Sequence, residues 1–208
     1  MKNKMRLPPG HSKSARQASA VTKDGICQLK VVLSGSSPLI WRRIQVPGSL
    51  TLAVLHKVLQ WTMGWEDDHL HEFVIGGTNY GASAPSDNLF APEMRDESRV
   101  RLKDVIPPAG KSFRYIYDFG DDWIHEITVE KIDLPEDRLS YPRCLEGENA
   151  CPPEDSGGLY GYYGKLEILK DTKHPEHEEI KEWMGHRFDP SLFNLEAVNR
   201  RLRGLSKE

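Results

Sequence analysis

The chain has 208 residues, 38% of them hydrophobic and 28% charged, with a net charge of −3. That length supports one well-buried core with appendages, and no apolar run approaches the roughly 20 residues that span a bilayer. The charge is uneven: Lys2, Lys4, Arg6, Lys13, Arg16 and Lys23 give residues 1–23 a charge of +6 with no acid, which leaves −9 for the remainder, a sign unsuited to a phosphate backbone.

Residues 1–23 lack the apolar side chains needed to fold and the apolar stretch of a secretory signal, so a disordered basic tail is expected. Any contact with nucleic acid would have to come through this tail. Cys27, Cys144 and Cys151 are too few for a disulfide framework and fit a reducing compartment. A cytoplasmic location is expected, with residues 24–208 forming a single α+β domain.

In chain order, Cys27, Leu29, Val31 and Leu33 alternate as a strand does. Gly35 to Pro38 reads as a turn, and Leu39 to Val46 as the returning strand of a hairpin. There Ile40, Arg42, Ile44 and Val46 share a face, which predicts that Arg42 snorkels or meets a carboxylate at a sheet edge. Thr51 is a good N-cap for a helix reaching Met63, with Leu52, Leu55, Val58, Leu59 and Thr62 at helical spacing and Gly64 closing it. Residues 76–98 read as an extended loop with a short strand near Tyr80, followed by a short element from Val100 to Ile106. Phe113, Tyr115 and Tyr117 alternate in a further strand. The stretch 133–163, dense in Pro, Gly and acids, reads as irregular. Helices are expected over about 164–171, from Pro175 with Ile180, Trp183 and Met184 on one face, and from Asn194 with Leu195, Val198, Leu202 and Leu205. The order β-β-α-β, β-β, then helices predicts an α+β fold with a mixed sheet, a β-grasp-like opening and C-terminal helices.

One pattern occurs twice. Asp67-Asp68-His69-Leu70-His71-Glu72-Phe73-Val74-Ile75 is echoed by Asp121-Asp122-Trp123-Ile124-His125-Glu126-Ile127-Thr128-Val129, each copy reading as a turn that runs into a strand. Period-two parity puts His71 and His125 on the apolar side of their strands and Glu72 and Glu126 on the other, which argues against a His–Glu catalytic pair.

Four segments together resemble the plasmid pRiA4b ORF-3-like family: Ile40-Trp41-Arg42-Arg43-Ile44, His69-Leu70-His71-Glu72-Phe73, Tyr117-Asp118-Phe119-Gly120-Asp121-Asp122-Trp123-Ile124-His125, and Cys151-Pro152-Pro153-Glu154-Asp155-Ser156-Gly157-Gly158. The resemblance covers roughly residues 25 to 203. It implies a compact α+β domain with no established biochemical activity, and labels inherited from plasmids and transposable elements, one of them resolvase-like. No tyrosine with a spaced Arg-His-Arg set, and no early serine in an arginine-rich context, supports that label here. Ser156 stands where relatives often carry another cysteine, which weakens a thiol-cluster reading.

Strand parity also puts His69 and His71 on one face. With His125 from a neighbouring strand, and water or Glu154 completing the set, they are candidate ligands for zinc or another divalent metal. The competing reading has His71 and His125 capping the apolar face where each strand starts. The chain lacks a full ligand motif such as His-Glu-x-x-His, which favours that structural role. Cys144 and Cys151 do not have zinc-knuckle spacing. Asp118, Asp121, Asp122, Glu154 and Asp155 could do acid–base work or hold Mg²⁺, although Asp and Gly in a hairpin are ordinary turn chemistry. With no nucleophile or substrate pocket specified, the pattern points away from an enzyme.

The leading expectation is a binding or interaction module for a protein partner. Its working surface would join the loop 141–164 to the starts of the echoed strands, with Arg42, Asp118, Asp122, Trp123 and Tyr160 as contact residues. The alternatives are a metal-dependent hydrolase or nuclease-accessory protein using His69, His71 and His125, and DNA association through the tail. No membrane association is expected.

Overall fold

A computed structural model describes residues 25–82 and 94–205. The basic tail, and the DNA association assigned to it, lie outside these residues. Eight strands form one mixed sheet in the order β5-β4-β3-β6-β7-β1-β2-β8. They are β1 (Ile26–Leu33), β2 (Trp41–Pro47), β3 (His71–Ile75), β4 (Thr78–Gly81), β5 (Met94–Asp96), β6 (Ser112–Tyr117), β7 (Trp123–Asp133) and β8 (Arg143–Glu148). The helices are α1 (Leu52–Met63), α2 (Leu102–Val105), α3 (Gly158–Lys170), α4 (His177–Met184) and α5 (Leu195–Leu205), with a 3₁₀ turn at Glu97–Arg99. The fold is α+β. It opens β-β-α-β, but β6 and β7 separate β3 from the first hairpin. No helix among the described residues is long and apolar enough to cross a membrane.

The alternation that marks the strands also builds the core. Leu29, Val31, Ile44, Val46, Phe73, Phe113, Tyr115, Tyr117, Trp123, Ile127 and Val129 are all buried, and α1 adds Leu52, Leu55, Val58 and Leu59. Burying one such side chain contributes about 1.5–3 kcal/mol. The opposite face is polar: Arg43 pairs with Glu130 at 2.6 Å and also with Glu146, and Lys30 lies over the Trp41 ring. An antiparallel sheet with one covered face reads in this way. Thr51 caps α1 by accepting from Val54 N, and Gly64 ends it at φ 109°, a left-handed conformation that glycine adopts without strain.

Three elements depart from the expectation. Strand β8 lies inside the stretch expected to be irregular, because antiparallel pairing with β2 supplies the order that its polar, glycine-containing sequence does not signal. Helix α3 begins at Gly158, ahead of the expected 164. Its glycines mimic a loop, but a Cβ on Gly161 would lie 2.1 Å from Ser156 O, so the close approach of that turn requires glycine. Strand β5 extends the sheet by parallel pairing with β4, a long-range contact that local pattern does not encode.

At the other edge, Asn199 of α5 accepts from Cys144 N and donates to Cys144 O, both at 2.9 Å. Arg42 is buried on the inner face, 2% exposed, and meets no carboxylate among the described residues. Its Nε donates to Thr62 O at 3.3 Å, and Nη1 donates to Trp41 O and Glu148 O at 2.8 Å. The guanidinium sits 4.2 Å from the Phe193 ring centre. Gly147 makes room for it, since a Cβ there would come within 2.7 Å of Arg42 Cδ and of Trp41 O. Overpacking of this kind costs about 1–3 kcal/mol. Gly147→Ala is therefore expected to lower the unfolding free energy by that margin, read as a lower urea midpoint with an unchanged denaturant slope; an unaltered midpoint would contradict the packing described.

Candidate functional site

The two echoed strands flank β6, each antiparallel to it. The register sets Tyr117 between His71 and Trp123, and Tyr115 between Phe73 and His125. His71 and His125 match in sequence but therefore sit one pleat apart in the sheet. The acidic pairs serve the turns: Asp67, Asp118 and Asp122 take positive φ values of 70°, 56° and 53°, which Asp tolerates better than most residues.

The three candidate histidines occupy three separate settings. His71 Nε2 lies 2.9 Å from Glu97 Oε2, and its ring stacks on His56 with centroids 3.4 Å apart and planes within 2°. His56, from α1, contacts Tyr115 Oη through Nδ1 at 2.8 Å and Asp67 Oδ1 through Nε2 at 2.6 Å. Burial, then the neighbouring His71, lowers the His56 pKa against the pull of Asp67. Ligand atoms of His56, Asp67 and His71 lie within 4.8 Å of one another, but the His71–Glu97 contact and both His56 contacts make this a structural knot between α1, β3 and β6. Sequence reasoning missed His56, although its spacing from Leu52, Leu59 and Met63 places it on the buried face of the helix.

His125 is fully buried, 0% exposed. Among the described residues neither ring nitrogen has a hydrogen-bond partner, and the same holds for Trp123 Nε1. The ring packs edge-on to Trp65 at 5.2 Å and beside Tyr115 at 5.4 Å. Burial pushes its pKa down to about 4. His69 lies just ahead of β3. Its Nε2 is 3.2 Å from Asp155 Oδ1 and 3.7 Å from Asp118 Oδ2, yet this covered nitrogen makes no hydrogen bond among the described residues. The set His69, His71 and His125 thus does not converge. His69 precedes the pleat it was expected to share with His71, and His125 belongs to the core. Glu154 is also placed elsewhere, accepting from Tyr117 Oη at 2.5 Å and Glu66 N at 3.1 Å. Burial, then Glu154, raises the Tyr117 pKa.

Of the expected contact residues, Arg42 and Trp123 are buried, because strand parity turns both toward the core. Asp118 is nearly covered, with Oδ1 accepting from Gly120 N and Asp121 N. Asp122 is exposed, and Tyr160 is 94% exposed. The long loop and the strand starts do meet. Gly157 N donates to Asp121 Oδ2 at 2.9 Å, Asp118 N to Leu70 O at 2.8 Å, and Asp68 N to Tyr117 Oη at 3.1 Å. Segments 66–70, 118–122 and 153–158 therefore form one junction. At its centre His69, Asp118 and Asp155 bring three ligand atoms within 4.8 Å of one another. The cysteines offer no nucleophile, since burial raises Cys144 to about 11 and Cys151 to about 12, which leaves both as thiols at neutral pH.

The family model described as plasmid pRiA4b ORF-3-like protein matches residues 25–197. The chain is 37% identical over 183 residues to a Sinorhizobium fredii protein described as uncharacterized protein y4hQ, covering 87% of this chain and 92% of that one. The crystal structure of MM3350 from Methanosarcina mazei Go1, a protein of unknown function, is similar with a TM-score of 0.76 and 39% identity, covering 83% of this chain and 97% of that one.

The depressed His125 pKa ties stability to pH. The unfolded chain takes up a proton near pH 6.5 that the folded chain refuses until about pH 4, so stability is lost as pH falls through that window. The loss amounts to roughly 3 kcal/mol. His125→Leu is expected to weaken this dependence, as read by urea unfolding at pH 7 and pH 4; an unchanged slope would refute the assignment.

Proposed function

Because the chain belongs to the plasmid pRiA4b ORF-3-like family, we propose its function from the junction itself: a binding module whose first ligand is a divalent cation held by His69, Asp118 and Asp155. The observation that carries this reading is the covered His69 Nε2, which faces two carboxylate oxygens without a hydrogen bond. A buried polar atom left unsatisfied costs about 1–3 kcal/mol. A cation recovers that loss and cancels the repulsion between the two carboxylates.

One imidazole nitrogen with two carboxylate oxygens is a donor set that suits Zn²⁺, Mn²⁺ or Mg²⁺. Glu66, Asp67, Asp68, Asp121, Asp122 and Glu154 lie on the same three segments, so the local field draws cations inward. The Asp155 side chain is 75% exposed, which leaves the outer coordination positions open to water or to an anionic group of a partner. Leu70, Phe119 and Tyr160 are exposed on or beside these segments and supply apolar anchors of the kind that carry protein interfaces. The partner this face fits is a protein segment that presents a carboxylate beside an apolar side chain.

Calorimetric titration of chelator-treated protein with Zn²⁺, Mn²⁺ and Mg²⁺ tests the reading. One saturable site is expected, with Tm raised by roughly 5–10 °C at a hundredfold excess over Kd. Both effects are expected to vanish in His69→Ala and in Asp118→Asn, the latter keeping the Oδ1 acceptor its turn needs. No heat and no Tm shift with any of the three ions, or an unchanged response in His69→Ala, would overturn it.

A further inference from the structure

A second site adjoins the junction at Glu66 and Glu154 but includes none of His69, Asp118 and Asp155. The C-terminal end of α1, residues 150–154 and the segment 188–201 enclose a groove of about 520 Å³, within the range of small-ligand sites. Trp61, Trp65, Phe188, Leu192, Phe193 and Val198 supply apolar wall, and Arg42 also lines it. We infer that this groove binds a small carboxylic acid with an apolar or aromatic body, its carboxylate received by Arg42.

The argument rests on how Arg42 is held. Nε and Nη1 spend all three of their hydrogens on the carbonyls of Thr62, Trp41 and Glu148. Among the described residues Nη2 donates to none, and no carboxylate lies within ion-pair distance of the guanidinium. Arg43, the next residue, shows what the same sheet does with an arginine it intends to neutralise: it has both Glu130 and Glu146. A buried cation without a counter-ion is costly, and burial lowers the Arg42 pKa. Yet the chain builds a place for it, with Gly147 omitting the Cβ that would strike Cδ and Phe193 covering one face of the guanidinium. Two hydrogens remain on Nη2, fixed in direction by the other three, and a carboxylate accepts them with charge assistance.

The remaining charged lining residues do not quench Arg42. Glu154 is committed to Tyr117 and Glu66 N, Glu66 is exposed, and Arg201 reaches Trp65 O at 3.5 Å and adds positive charge. The apolar walls favour a ligand body over bulk water, so the groove selects for an acid that carries a hydrocarbon.

Phenylacetate and hexanoate, with 2-phenylethanol and 1-hexanol as uncharged counterparts of similar shape, test this on the full chain. Either acid is expected to shift the Trp61 and Trp65 indole and Arg42 Nε resonances saturably. The alcohols should bind roughly tenfold or more weakly, the size of a lost charge-assisted hydrogen bond. Arg42→Met is expected to erase the preference for acids. Should that variant fail to fold, Ala197→Phe fills the groove while leaving Arg42 in place, and is expected to abolish the shifts with Tm retained. Saturable binding of neither acid, equal binding of acid and alcohol, or full binding to Ala197→Phe would overturn the inference. Chelator should leave the result unchanged, which separates it from the cation site.

Discussion

Strand β6 is paired along both edges by the two echoed strands, and the register set there decides which side chains meet. Tyr115 and Tyr117 face the core between them. The Tyr115 hydroxyl reaches His56 and Gln60 on α1, and the Tyr117 hydroxyl reaches Asp68 and Glu154. Two phenols on alternate positions thus tie the sheet to its covering helix and to the loop before α3. A slip of one residue would turn both to solvent and release the helix and the junction together.

Much of this was legible from periodicity. The first hairpin, α1 with its Thr51 cap and Gly64 stop, and the echoed strands each carry a strong local pattern, and the alternation of Phe113, Tyr115 and Tyr117 marks β6 directly. Strand β8 and the first turns of α3 do not, because their order comes from partners distant in sequence. The candidate site was legible only in part. Asp118 and Asp155 were recognised as acids, and the meeting of the long loop with the strand starts followed from the concentration of polar residues there. What parity alone could not supply was that His69 precedes the strand and meets Asp118 and Asp155, or that His56 on another element would occupy the space beside the His71 ring.

The handling of charge differs between the two faces of the same strand. Arg43 on the outer face takes two carboxylates, gripping the half-buried Glu130 with both Nε and Nη2, a geometry that makes such a pair stronger than an exposed one. Arg42 on the inner face takes only carbonyl oxygens, and the backbone of β2, β8 and α1 is arranged around it. His125, with no partner for either nitrogen, is kept neutral by the same low-polarity surroundings. The interior thus handles polar groups in three ways: backbone carbonyls meet Arg42, a buried carboxylate, Glu97, meets His71, and His125 is kept neutral.

Asn199 has a consequence for the sheet as a whole. By meeting both backbone groups of Cys144, its amide occupies a position that another strand would otherwise take. An open strand edge is a template for chain-to-chain pairing and fibre growth, and β8 is the last strand of the order. One side chain from a helix thus acts as a terminator, ending strand addition at β8 beside the register shift between Cys144 and Glu146.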